Sequence, residues 1–162
     1  EIFTSVNNQL CDNNEAALFV TSWMGILHIN TGEFTYVNAG HNPPLLMRAG
    51  GDFEYLRSRP GFVLAGMEGI RYRQTTMNLG EGDVLYLYTD GVTEATNAAN
   101  ELYGEDRLLN VANQHKEDTP QQLLPSIKAD IDQFVGDAPQ FDDITMLGLK
   151  IKTVKEEGRV KS

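Results

Sequence analysis

The segment Val84–Ala95, VLYLYTDGVTEA, decides how this sequence is interpreted. Its first five residues are apolar or aromatic and predict a buried strand, which then ends in Asp90 and Gly91. A second segment, Phe141–Leu147 (FDDITML), reverses the order and places two adjacent acids before an apolar run. If the strand that follows Asp143 lies antiparallel to the strand that precedes Asp90, the end of one strand and the start of the other share a sheet edge. The carboxylates then converge.

Converging carboxylates without clustered histidines or cysteines suit Mg²⁺ or Mn²⁺, which prefer oxygen ligands and keep several waters. Such ions can bind a phosphate and activate water, so the pattern is compatible with metal-assisted phosphoester hydrolysis. The residues alone leave a simpler alternative open. Asp-Gly after a strand is also a common turn, and a pair of acids before a strand is also a common solvated loop.

The composition excludes several classes of function. A chain of 162 residues with 41% hydrophobic content is long enough for one domain with its own core. A net charge of -10 repels nucleic-acid backbones and anionic membrane surfaces, so neither is an expected partner. The single cysteine, Cys11, allows no intrachain disulfide and fits a cytoplasmic protein, and no apolar run is long enough to cross a bilayer.

Local patterns predict strand hairpins, then helices, then a final strand. The first hairpin joins 17–29 to 34–37, and the second joins 45–48 to 53–56. A third is predicted between 72–79 and 84–89, around Gly80-Glu-Gly-Asp83. Together these patterns indicate an α+β fold in which helices cover antiparallel sheet.

Helical periodicity appears in three places. Apolar residues of 2–10 recur at helical spacing, and 106–115 carries an apolar face. A longer helix is predicted after Thr119, because Thr119 and Gln122 can form a capping box around Pro120. The last strand is expected over 144–151, and residues 153–162 are expected to form a polar tail.

Four segments in fixed order make the sequence resemble a known family. They are Asn38–Leu46 (NAGHNPPLL), Leu87–Ala95 (LYTDGVTEA), Leu102–Leu108 (LYGEDRL) and Asp142–Thr145 (DDIT). This order is typical of bacterial metal-dependent serine/threonine protein phosphatases of the PPM class. The subgroup it most resembles contains the SpoIIE-type phosphatases and the regulators of stress-response sigma factors. The resemblance implies an α-β-β-α sandwich of antiparallel sheets flanked by helices, with two Mn²⁺ or Mg²⁺ ions.

The resemblance also assigns roles to particular residues. Asp90 and Asp142 match metal ligands of the family, and Asp143 matches a neighbouring supporting position. Gly91 would let the backbone pass close to the ions, and Thr89, like Thr93, would orient Asp90 through hydrogen bonds.

The roles of two further polar residues, His41 and Glu94, have alternative interpretations. His41 stands where relatives often carry an acid, so it is a candidate for phosphate contact or proton donation, and equally a structural histidine of its loop. Glu94 is a candidate ligand or, by preference, an acid at the start of a helix.

The family's first acidic motifs normally lie upstream of the residues present here. Residues 1–152 are therefore expected to be the C-terminal portion of the phosphatase domain, with the N-terminal third of a domain of about 200 residues missing. The strands left unpaired would present open sheet edges, which predicts homodimerisation or strand exchange. A concentration-independent monomer by light scattering would argue against this hypothesis.

The resemblance predicts hydrolysis of phosphoserine or phosphothreonine on a protein, with a phosphorylated anti-sigma antagonist (an anti-anti-sigma factor) as substrate. Two alternatives stand beside it. A pseudophosphatase would use the same fold only to bind a partner, which the lack of upstream ligands favours and the intact Asp90 and Asp142 oppose. A hydrolase of small phosphoesters would prefer metabolites to phosphopeptides.

Overall fold

A computed structural model describes residues 1–12, 14–59, 61–140 and 142–152, so the predicted polar tail lies outside the described residues. The elements, in chain order, are α1 (Ile2–Cys11), β1 (Ser22–Leu27), β2 (Glu33–Ala39), β3 (Leu45–Met47), β4 (Phe53–Tyr55), β5 (Thr75–Asn78), β6 (Val84–Tyr88), α2 (Asp90–Thr93), α3 (Gly104–Gln114), α4 (Pro120–Val135) and β7 (Met146–Lys150). Helices and antiparallel sheets confirm the predicted α+β class. None of the helices in the described ranges has the length and apolar character that a membrane span requires.

The chain divides into two compact units. The first contains residues 1–41 and 58–79, and the second contains residues 42–57 and 80–152. The first has a three-stranded antiparallel sheet in the order β1-β2-β5, together with α1. The second has a four-stranded antiparallel sheet in the order β4-β3-β6-β7, together with the other three helices.

Two of the three predicted hairpins are confirmed, and the third is wrong. β1 pairs with β2 and β3 pairs with β4, each antiparallel. β5 and β6, however, belong to different sheets, because β5 pairs with β2 while β6 pairs with β3 and β7. The Gly80–Asp83 turn therefore links two sheets. Asp83 is buried there and its carboxylate accepts hydrogen bonds from the backbone N–H groups of Ala49 and Gly80.

Side-chain amides of α1 supplement the apolar contacts of the first unit with hydrogen bonds to one loop. The Asn7 side chain of α1 is fully buried, donates to the carbonyl of Met67, and accepts from the backbone N–H of Ala65 and the Tyr72 hydroxyl. Asn8 accepts a further bond from the Gly69 backbone N–H at 2.9 Å. These bonds tie the 65–72 loop to α1.

An apolar core holds the second unit together. Its central strand, β6, is buried at Val84, Leu85, Tyr86 and Tyr88. The core packs this sheet against α3 and α4, whose buried members are Leu108, Val111, Ala112, Leu123, Ile127 and Ile131. The N–H of Thr119 donates to the Gln122 side chain at 3.0 Å, which confirms the predicted capping of α4.

A polar contact joins α3 to α4 at the margin of that core. Arg107 donates two hydrogen bonds to the Asp130 carboxylate, at 2.8 and 3.1 Å, and its guanidinium lies 4.8 Å from the centre of the Phe134 ring. The Tyr103 hydroxyl donates to the same carboxylate at 2.8 Å. The hydrogen bond from Arg107 is the main cause that lowers the pKa of Asp130 below its ordinary value.

Candidate functional site

The site is a corner where β6 ends and β7 begins. The two strands are antiparallel, with Tyr88 opposite Met146, so the predicted strand arrangement is confirmed. Pairing continues one step beyond the strands, because the Thr89 N–H donates to the carbonyl of Thr145 at 3.0 Å. The backbone that follows β6 and the backbone that precedes β7 therefore meet at one edge of the sheet.

The Thr89 side chain fastens this corner. Its hydroxyl donates to the carbonyl of Asp143 at 3.0 Å and accepts the N–H of Thr145 at the same distance. The expected bond to the Asp90 carboxylate is not among the bonds of the described residues. Thr93 likewise donates to the Asp90 backbone carbonyl, at 3.3 Å, and leaves the carboxylate untouched. Both threonines hold the backbone of the corner.

Gly91 lies where the two segments approach each other closely. It is buried, and a Cβ at this position would lie 2.9 Å from the carbonyl carbon of Asp143 and 3.4 Å from that of Asp142. Atoms this close overlap, so any side chain would push the two segments apart. The glycine is required for the approach of Asp142–Asp143 to the first turn of α2.

The two acids at the corner are exposed and only lightly engaged. One oxygen of Asp90 accepts the N–H of Gly91 at 3.1 Å, and one oxygen of Asp142 accepts the N–H of Asp143 at 2.7 Å. Within the described part of the chain, neither carboxylate takes part in an ion pair. Each keeps lone pairs for a cation. Tyr88, the residue before Thr89, is a neutral phenol at physiological pH, and burial raises its pKa further, to about 12.

The donor set fits part of a Mg²⁺ or Mn²⁺ site. Exposed carboxylates on a rigid strand corner are the ligands these ions prefer. Among the residues that the structure describes, no group of three or more His, Cys, Asp or Glu side chains is positioned to hold a metal. A metal ion at this corner would take carboxylate oxygens from Asp90 and Asp142 and would need water or other groups to complete its coordination shell.

His41 lies in the first unit, where its contacts are structural. Asn38 is buried, accepts the backbone N–H of His41 and donates to its carbonyl, both at 2.8 Å. The His41 ring Nδ1 lies 3.1 Å from the Thr21 hydroxyl. These bonds set the conformation of the Gly40–Pro44 loop and leave the ring half-buried.

Glu94 does not start a helix, so that interpretation is wrong. It is the residue at which the short helix α2 ends, since its N–H donates to the Asp90 carbonyl at 2.8 Å. It is exposed and is one of the residues that line a cavity of about 260 Å³ in the second unit. The cavity is lined by Gly91, Glu94, Ala95, Thr96, Ile131, Asp132, Val135, Gly136, Ala138, Pro139, Gln140, Asp142 and Ile144. Sequence reasoning missed it because its walls come from segments far apart in the chain.

Comparison with known proteins gives the same family as the sequence motifs do. The family described as Stage II sporulation protein E (SpoIIE) matches residues 1–152. Protein IcfG of Synechocystis is 29% identical over 138 residues, which are 85% of this chain and 22% of that protein. Phosphoserine phosphatase RsbU of Bacillus subtilis is 26% identical over 152 residues, 94% of this chain and 45% of RsbU. The chain therefore spans less than half the length of these curated relatives.

A solved structure supports the fold independently. The SiaA-PP2C domain of Pseudomonas aeruginosa superposes with a TM-score of 0.79 at 18% identity, covering 92% of this chain and 59% of that one. At this identity the likeness concerns the fold alone. It agrees with the antiparallel sheets and helices described above.

Proposed function

This chain belongs to the SpoIIE family of PP2C-type phosphatase domains, and from that premise we propose that it carries out metal-dependent hydrolysis of phosphoserine or phosphothreonine on a protein. One observation supports the proposal above all others. The β6 and β7 ends bring Asp90-Gly91 against Asp142-Asp143, so two motifs that lie 52 residues apart in the sequence form one corner.

Each residue of the corner has a distinct task in this proposal. Asp90 and Asp142 hold Mn²⁺ or Mg²⁺ through the carboxylate oxygens that their backbone hydrogen bonds leave available. Gly91, Thr89 and Asp143 position the two acids through close packing and backbone hydrogen bonds. When bound, two ions supply Lewis-acid activation of water and neutralise phosphate charge.

The proposed substrate is a phosphorylated anti-anti-sigma factor in bacterial signalling. The relative RsbU is itself named a phosphoserine phosphatase, and the family resemblance extends over 94% of this chain. The net charge of -10 favours a protein substrate over nucleic acid.

A calorimetric Mn²⁺ titration of the full-length protein tests the ligand assignment. Asp90→Asn and Asp142→Asn are each expected to weaken Mn²⁺ binding at least tenfold and to abolish turnover of a phosphoserine peptide. Glu54→Gln removes an exposed carboxylate from β4 and is the matched control. Unchanged Mn²⁺ affinity in both Asp variants, with their thermal melting preserved, would contradict the assignment.

The incomplete ligand set favours one alternative, a binding module without catalysis. The described residues contain no group of three or more His, Cys, Asp or Glu side chains positioned to hold a metal, and a binding domain would tolerate such a set. Tight binding of a phosphoserine peptide with no turnover in Mn²⁺ would identify this alternative. Turnover that both Asp→Asn substitutions abolish would exclude it.

A further inference from the structure

The cavity beside the Asp90–Asp142 corner has a size and lining that the proposed chemistry does not use. It shares Gly91 and Asp142 with the corner and extends from there toward the end of α4. Its volume of about 260 Å³ is smaller than the roughly 300–1,000 Å³ of ordinary ligand pockets. A single amino-acid side chain fits such a space better than a cofactor does.

The base of the cavity is apolar and preformed. Ile131 is 1% exposed and Ala95 is 8% exposed, and both belong to the core of the second unit. Val135, Pro139 and Ile144 extend this apolar wall. Because buried core residues form part of this wall, an aliphatic chain that enters the cavity loses contact with water.

The charged groups around the cavity are all acidic. The described lining residues include Glu94, Asp132 and Asp142, and none of them is Lys, Arg or His. Asp132 is paired with Lys128 one turn earlier on α4, at 2.5 Å, and Asp142 is assigned to the metal. Glu94 has no ion-pair partner among the described residues, so its carboxylate is the one available to an incoming cation.

We propose that this cavity binds an arginine or lysine side chain of the phosphoprotein substrate, within three residues of the phosphorylated residue. Such a side chain combines an aliphatic stem with a cationic head, which matches a cavity whose lining includes both buried apolar residues and the exposed Glu94. The limit of three residues follows from the shared Asp142, because an extended chain advances only about 3.3–3.6 Å per residue. The inference rests on the proposed function, since it places the phosphate at the Asp90–Asp142 corner.

Paired peptides test the proposal on the full-length protein. Phosphoserine peptides carry a single Arg, Lys, norleucine or Glu at each position from three before to three after the phosphoserine. Binding is measured by fluorescence anisotropy, with and without Mn²⁺, and kcat/KM is measured in Mn²⁺. We expect one flanking position at which Arg and Lys bind about fivefold tighter than norleucine, because a partly exposed charge pair contributes on this scale.

Variants of the cavity lining then test whether the preference for Arg or Lys arises in this cavity. Glu94→Gln is expected to reduce the ratio of Arg to norleucine affinity to below about twofold, and Glu94→Lys is expected to favour the Glu peptide. Ala95→Leu fills the apolar base and is expected to weaken all side chains at that position. Glu117→Gln, which removes an exposed acid after α3, should leave the ratio unchanged.

The outcomes separate the two proposals. Equal affinities for Arg and norleucine at every position, or a preference for norleucine, overturn the cavity inference whether or not turnover occurs. A preference that survives Glu94→Gln also overturns it. Absent turnover with a Glu94-dependent preference supports the cavity and overturns the phosphatase proposal.

Discussion

Both units of the chain contain apolar clusters, and they differ in the interactions that supplement or extend those clusters. In the first unit, buried hydrogen bonds from Asn7 fix the 65–72 loop against α1. In the second unit, a continuous apolar core joins the four-stranded sheet to α3 and α4. Directional bonds fix one loop in one geometry, whereas apolar packing supports a whole sheet over its length. The Asp90–Asp142 corner uses both, because it lies at the end of the buried strand β6 and the Thr89 hydroxyl fixes its backbone through hydrogen bonds.

The largest expected effect tests the core of the second unit. Ile127→Ala removes a fully buried side chain from α4 and is expected to lower the free energy of unfolding by about 3 kcal/mol. The same substitution at Ile26 in β1, which is 48% exposed, should cost at most about 1 kcal/mol. Urea denaturation of both variants measures the difference. Equal losses of unfolding free energy in the two variants would contradict the difference in burial between Ile127 and Ile26.

The second prediction concerns the amide bonds of the first unit. Asn7→Ala leaves the Ala65 N–H and the Met67 carbonyl without their partner, and is expected to cost about 2–3 kcal/mol. Gln9→Ala, on the exposed face of the same helix, should change stability by less than about 0.5 kcal/mol. Hydrogen exchange at Ala65 should accelerate in Asn7→Ala, because the Ala65 N–H loses its acceptor. Unaltered exchange there would refute the role given to this amide.

The third prediction concerns the corner itself. Gly91→Ala forces a methyl group against the Asp143 carbonyl and is expected to cost about 2 kcal/mol and to weaken Mn²⁺ binding. Gly80→Ala is the matched control, because no atom lies within 4 Å of the added carbon. Urea denaturation and calorimetry of both variants measure these effects. Normal Mn²⁺ affinity in Gly91→Ala would show that metal binding does not depend on this close approach.

The smallest expected effect depends on pH. The pKa of Asp130 is lowered in the folded protein, so its contribution is present above its unfolded pKa of about 4 and is lost as pH falls through the lower folded value. Asp130→Asn should cost about 1 kcal/mol at pH 7, and the difference should shrink below pH 4. Glu117→Gln, an exposed acid, serves as the control. A loss that stays constant from pH 7 to pH 3 would contradict this account.

The sequence predicted the elements that depend on local signals. The β1–β2 and β3–β4 hairpins follow from turn residues between alternating apolar runs, and α4 follows from its cap at Thr119. The corner was also predictable in outline. Antiparallel pairing of two strands is enough to bring an acid after one strand close to an acid before the other.

Features that depend on distant partners were not predictable. Gly80–Asp83 looks like a hairpin turn, but the choice of β2 as the partner of β5 is made over more than thirty residues of chain. The physical reason lies in Asp83. Its buried carboxylate accepts a hydrogen bond from the backbone N–H of Ala49, so the turn connects two sheets and does not close a hairpin. The hydrogen bonds of Thr89 could likewise not be predicted from the sequence, since a hydroxyl has many possible partners.

The pairing of β6 with β7 has a consequence for the order of folding. Asp90 and Asp142 are separated by α3 and α4, so the acids cannot meet until both helices have been synthesised and β7 has docked. Closing a loop of this length is slow compared with forming a hairpin or a helix. A nascent chain therefore exposes Asp90 for seconds before its partner leaves the ribosome, at the usual rate of about 5–20 residues per second. If the corner binds metal as proposed, the ion is captured late in folding.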